Sequence, residues 1–132
     1  MGTYAVDETL KPWYPIPGTD EELFLETVVK GLEGLEVTLS TGEGATRSLI
    51  LDFGKPIAYR VNPDYVYMKR PWWGTLSGGP LYIVENSTFR QWLETETLGV
   101  YDQQYSHFFI ISVDGCLDVL TLSEPKAQWR YA

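Results

Sequence analysis

The chain has 132 residues, 44% of them hydrophobic and 21% charged, a composition that fits one folded domain over 1–132 and excludes a disordered segment. Its formal net charge of −8, concentrated in residues 1–66 (net −6) over 67–132 (net −2), opposes binding to nucleic acid or to an anionic membrane. One cysteine, Cys116, and one histidine, His107, exclude an internal disulfide and fall short of the three or four His/Cys ligands of a zinc site, so neither metal nor cofactor is expected.

Residues 1–18 read as an extended segment punctuated by Pro12, Pro15 and Pro17. Thr19-Asp-Glu-Glu22 has the form of a capping box, and Phe24, Val28 and Leu32 follow at helical spacing. That pattern predicts a helix over about 20–32. After Gly34, Leu35–Ser40 alternates with period two, Ser48–Phe53 and Ile57–Val61 read as further strands, and Tyr65–Met68 as a short one. Residues 69–80 form a Gly/Pro-rich loop, and Leu81–Glu85 is again a strand. Asn86 or Ser87 caps a second helix over about 88–97, with Phe89, Trp92 and Leu93 inward and Gly99 as its stop.

His107–Thr121 reads as two strands joined at Asp114-Gly115, a type I′ hairpin signal. Phe109, Ile111 and Val113 on one face and Phe108 and Ile110 on the other make it a central hairpin covered on both sides. Ser123–Ala132 reads as a polar tail held by Trp129. Nothing alternates β-α-β regularly. The expected class is α+β: a mixed or mainly antiparallel sheet of five to seven strands with two helices.

Chemistry that needs imidazole or thiolate must pass through this hairpin. With Val113 opposite Cys116, His107 falls near Leu122, and the two side chains stand roughly 20 Å apart at ~3.3 Å per residue. A thiolate and its base must lie within ~3 Å, so the hairpin supplies no Cys–His dyad and Cys116 reads as structural. His107, where the preceding loop enters its strand beside Tyr105 and Ser106, marks a candidate pocket. Asp52 and Asp118 interrupt strands, and carboxylates there are expected to face outward. No phosphate-binding loop and no Gly-x-Ser-x-Gly elbow occurs. In Lys69-Arg70-Pro71-Trp72-Trp73-Gly74, adjacent tryptophans beside bases have the composition of an interface hot spot.

The segment 48–122 carries Ser87-x-Phe89-x-x-Trp92-Leu93, then His107 before an apolar strand, Asp114-Gly115, Leu117-x-Val119-Leu120 and, just beyond, Pro125. In this it resembles a scattered group of small bacterial proteins of unknown activity, some of them similar to immunity proteins that accompany secreted toxins. The resemblance implies no catalytic residue. Together with the acidic charge, it points to a protein-binding module rather than an enzyme, an inhibitor or immunity protein that neutralises a basic partner such as a toxin.

On that reading Asp20, Glu21, Glu22 and Glu26, with the Glu33–Glu43 region, steer the partner, and Trp72, Trp73 and Arg70 anchor it. The alternatives are a small enzyme or small-molecule binder with its pocket at Tyr105, Ser106 and His107, and a structural subunit that forms a homodimer through a strand edge. Residues 1–8 have neither the basic nor the apolar region of a signal peptide, and no apolar run reaches the ~20 residues of a bilayer span, so a cytoplasmic location is expected.

Overall fold

The computed structural model describes residues 7–42, 44–100, 104–112 and 115–132. The chain forms strands β1 (Thr9–Pro12), β2 (Phe24–Gly31), β3 (Gly34–Ser40), β4 (Arg47–Asp52), β5 (Ala58–Asn62), β6 (Leu81–Glu85), β7 (Ser106–Ser112), β8 (Gly115–Thr121) and β9 (Lys126–Tyr131). A 3-10 turn spans Asp64–Tyr67 and a helix, α1, spans Thr88–Glu96. All pairings are antiparallel. One sheet has the order β1-β6-β7-β8-β5, the other β2-β3-β4-β9.

This overturns the expected α+β class with two helices: nine strands in two sheets carry one helix among the described residues. The predicted helix over 20–32 is strand β2. Its β-branched run Thr27-Val28-Val29 suits a pleated surface better than a helix, and Gly31 and Gly34 flank a two-residue turn that folds it onto β3. Leu32, counted in the helical stripe, sits in that turn 96% exposed. The Thr19 hydroxyl caps nothing; it donates to the Ile16 carbonyl at 2.9 Å and closes a turn.

The short strand predicted at Tyr65–Met68 is part of the 3-10 turn. The polar tail is edge strand β9, in which Ala127 and Trp129 face the core opposite Leu51 and Leu49. The helix predicted over 88–97 is α1, with Phe89 and Leu93 inward but Trp92 exposed.

The central hairpin is present, covered on both faces, with a shifted register. Ser112 pairs with Gly115, Ile111 with Cys116 and His107 with Leu120, not Leu122. Its predicted turn involves Val113 and Asp114, which lie outside the described residues. Cys116 and His107 are still four residues apart along the ladder, or about 13 Å.

Alternation sorts the central sheet into two faces. Leu81, Phe108, Ile110, Leu117 and Val119 meet Leu35, Val37, Leu39, Leu49 and Leu51 of the second sheet in the main core. Trp13 and Phe53 close this core on Phe108, with ring centroids at 4.7 and 6.0 Å. On the opposite face Tyr82, Phe109 and Cys116 lie under Tyr67 and Trp72, and Leu120 lies under Phe89 and Leu93 of α1. The protein is thus a two-sheet sandwich with α1 and the 64–77 segment as a third layer. No helix among the described residues is long and apolar enough to cross a membrane.

The β3–β4 pairing ends where Gly34 meets Gly54. A Cβ on Gly34 (φ +133°) would stand 2.1 Å from the Gly54 carbonyl oxygen, whereas one on Gly44 (φ +76°) would meet nothing within 4 Å. Gly44→Ala should therefore cost only the left-handed strain, about 1–2 kcal/mol. Gly34→Ala adds a backbone clash and should cost clearly more, with loss of the β2–β3 end pairing. Urea unfolding of both variants checks the order, and equal costs would contradict it.

Candidate functional site

Asp118, in the middle of β8, points away from the main core and is 2% exposed. Its in-register partner is Phe109, which makes His107 the diagonal neighbour on the same face. His107 Nε2 lies 2.5 Å from Asp118 Oδ1. Arg60 Nε, from β5, donates to Oδ2 at 2.9 Å, and the Tyr67 hydroxyl donates to the same oxygen. His107 Nδ1 lies 2.6 Å from Ser87 Oγ, which also accepts the Arg90 N–H at 2.9 Å as the N-cap of α1. In the neutral imidazole Nε2 donates to the Asp118 carboxylate, which leaves Nδ1 to accept the Ser87 hydroxyl proton. Ser87, His107 and Asp118 thus form one continuous hydrogen-bonded row, each residue 5% exposed or less.

A second buried carboxylate flanks the first. Glu8, 2% exposed just before β1, accepts Arg70 Nη1 at 2.8 Å and Trp72 Nε1 at 2.9 Å on Oε1, and the Thr88 N–H at 2.6 Å on Oε2. The first turn of α1 is therefore held twice, by Glu8 at Thr88 and by Ser87 at Arg90. Burial pushes both carboxyls up. For Asp118 it is outweighed by His107, Arg60 and Tyr67, and for Glu8 by the Thr88 N–H, Trp72 and Arg70, so both end below the ordinary carboxylate value. Burial pushes the Cys116 thiol up to about 12, which makes it inert as a nucleophile.

Beside this row opens a cavity of about 370 Å³, whose walls include Ser87, Arg90, Glu94, Tyr105, Ser106 and His107. The predicted trio Tyr105, Ser106 and His107 is brought to one place. Ser106 is exposed there, while Tyr105 is buried under the Arg90 guanidinium at 4.1 Å and His107 belongs to the buried row. Asp118, expected to face outward, is the residue sequence reasoning misplaced. The signal was its setting: a carboxylate between Leu117 and Val119 in a strand already read as covered on both faces.

The predicted anchors lie mostly buried in the third layer. Trp72 is 6% exposed and packs on Phe109 at 5.3 Å, its indole N–H committed to Glu8. Arg70 is 7% exposed in the ion pair with Glu8, and Trp73 is half-buried against the same cluster.

The acidic set is divided among different places. Asp20 and Glu22 line a groove of about 440 Å³ together with Asp64, Leu23, Phe24 and Ile111. Glu21 pairs with Arg47 at 3.0 Å. Glu26 is exposed at the bulge where the β2–β3 register shifts. Glu33 and Glu36 lie on the β2–β3 hairpin, and Glu43 is outside the described residues.

No family model, curated protein or solved structure matches the chain. Functional inference therefore rests on the two surface features, the acidic groove and the cavity beside Ser87. Chemically the groove offers carboxylates over an apolar floor, and the cavity offers a hydroxyl with a proton acceptor in hydrogen-bond contact.

Because both buried carboxyls are depressed in the folded state, their stabilisation is present above the unfolded carboxylate pKa of about 4 and is lost as pH falls through the folded values. Thermal melts should show the midpoint falling steeply below about pH 4. Asp118→Asn should lower stability at pH 7 by about 3–5 kcal/mol, because it leaves Arg60 facing a neutral amide, and should flatten that acid limb. An unchanged limb in the variant would remove Asp118 from this role.

Proposed function

We propose that the protein is a binding module, of inhibitor or immunity type, that receives a basic segment of a protein partner in the groove between Asp20, Glu22 and Asp64. The observation that carries this reading is the groove itself. Three carboxylates from two distant parts of the chain stand around Leu23, Phe24 and Ile111. None of the ion pairs among the described residues uses Asp20, Glu22 or Asp64.

Carboxylates over apolar floor suit a Lys or Arg whose stem lies on the floor and whose head meets the rim. The 3-10 turn that carries Asp64 also presents Tyr65 and Met68, 67% and 58% exposed. An aromatic and a methionine next to a charged groove have the composition of an adaptable contact surface. They take the anchoring role first assigned to Trp72. The net charge of −8 adds long-range attraction, so encounter with a basic partner is accelerated at low salt.

The test is capture of partners from source-cell lysate by the native chain and by the triple variant Asp20→Asn/Glu22→Gln/Asp64→Asn. One stoichiometric basic protein should be retained by the native chain and lost in the variant. Its on-rate should fall at least about tenfold between roughly 50 and 500 mM salt. A partner that the triple variant still holds, or an on-rate indifferent to salt, contradicts docking in this groove.

A further inference from the structure

We infer that Ser87 is an acyl-accepting nucleophile, activated by His107 and Asp118, for small carboxylic esters that enter the adjoining cavity. This goes beyond the docking reading and does not depend on it.

Three observations point to this. The first is order and distance: Ser87 Oγ to His107 Nδ1 is 2.6 Å, and His107 Nε2 to Asp118 Oδ1 is 2.5 Å. Nucleophile, base and orienting carboxylate are therefore already in contact, as nucleophilic catalysis by a hydroxyl requires. The ring is used in the reverse sense of the usual triad, with the nucleophile on Nδ1, but the proton relay is the same. Asp118 fixes the tautomer that leaves Nδ1 free to accept, and Arg60 and Tyr67 hold Asp118 in place as positioning groups.

The second observation is where the hydroxyl stands. Strand β6 passes through Asn86, which takes a left-handed φ of 55°, directly into Ser87 and α1. A strand–tight turn–helix junction puts the serine at the positive end of the helix, and the Arg90 N–H already donates to its oxygen at 2.9 Å. The same end of the helix favours negative charge developing on that oxygen. Glu8, the nearby anion, is matched by Arg70 and Trp72.

The third is access. Ser87 and His107 both belong to the wall of the cavity of about 370 Å³, a volume in the range of small-molecule sites. Arg90, Glu94 and Gln91 make much of the remaining wall polar beside Ile83 and Val84, which suits a small polar ester better than a long acyl chain.

In the acylation step Ser87 Oγ bonds to the ester carbonyl carbon while its proton passes to His107 Nδ1, and the carbonyl π pair moves onto the carbonyl oxygen to give a tetrahedral oxyanion that re-forms the carbonyl as the alcohol leaves. His107 becomes an imidazolium facing Asp118. As the carbon–oxygen bond to the alcohol breaks, Nδ1 returns the proton to the leaving oxygen. Water repeats the sequence on the Ser87 ester, giving the carboxylic acid and regenerating the hydroxyl.

The experiment uses the full chain with two probes, p-nitrophenyl acetate and a fluorophosphonate, read by intact mass and peptide mapping. The expected result is one adduct per chain, on Ser87. It should be absent in Ser87→Ala and in the cap-preserving Ser87→Asn, retained in Ser123→Ala, an exposed serine outside the cavity, and formed at least about 100-fold more slowly in His107→Gln. No adduct on the folded native chain, an adduct on other residues, or a Ser87 adduct whose rate ignores His107→Gln each overturns the proposal. The native-chain measurement decides even if a variant fails to fold.

Discussion

The structure depends on a carboxylate placed where water cannot reach it. Asp118 sits at the centre of the central sheet, 2% exposed, and an ionised group there is tolerable only if its oxygens are filled with donors. Each donor comes from a different element: His107 from β7, Arg60 from β5 and Tyr67 from the 3-10 turn. One charge therefore fixes the edge strand β5, the turn that follows it and the histidine beneath α1. Removing any partner leaves the others with an unmet obligation, which is how a single side chain can enforce one arrangement of several elements.

Glu8 does the same work from the other side of the layer. Helix α1 has nine residues, shorter than helices that persist alone in water. It is stable here because Phe89 and Leu93 are buried and because its first turn is tied to Glu8 and Ser87. Arg70 and Trp72, whose composition suggested an exposed anchor, are consumed in holding Glu8. A buried carboxylate recruits the strongest donors nearby, and in this segment those donors were the arginine and the tryptophan.

The groove and the cavity arise from opposite uses of the same residue type. Carboxylates inside the third layer are neutralised by neighbours and organise Ser87 and His107 beside a cavity. Carboxylates at the groove, Asp20, Glu22 and Asp64, take part in none of the ion pairs of the described residues. Folding has thus sorted an acidic chain into an internal set that is neutralised by neighbours and an external set that lines the groove.

Local patterning by itself determined the strands at 35–40, 48–53, 57–61 and 81–85, the helix at 88–97 and the central hairpin, because period and turn chemistry are properties of neighbouring residues. Tyr105, Ser106 and His107, consecutive at a strand entry, lie together in the wall of one cavity. Local patterning failed at 20–32, where Thr19-Asp-Glu-Glu22 and an apolar spacing satisfied a helix template. Pairing with β3 gave the β-branched run a better partner than its own backbone.

Only the tertiary structure decided that Ser123–Ala132 completes a sheet, that Asp118 points inward, and that Ser87 meets His107. These follow from contacts between residues far apart in the chain, such as Glu8 with Thr88 and Arg47 with Tyr131. Whether a charge is matched or left free depends on which distant donors the fold brings to it, and periodicity along one strand carries no record of that.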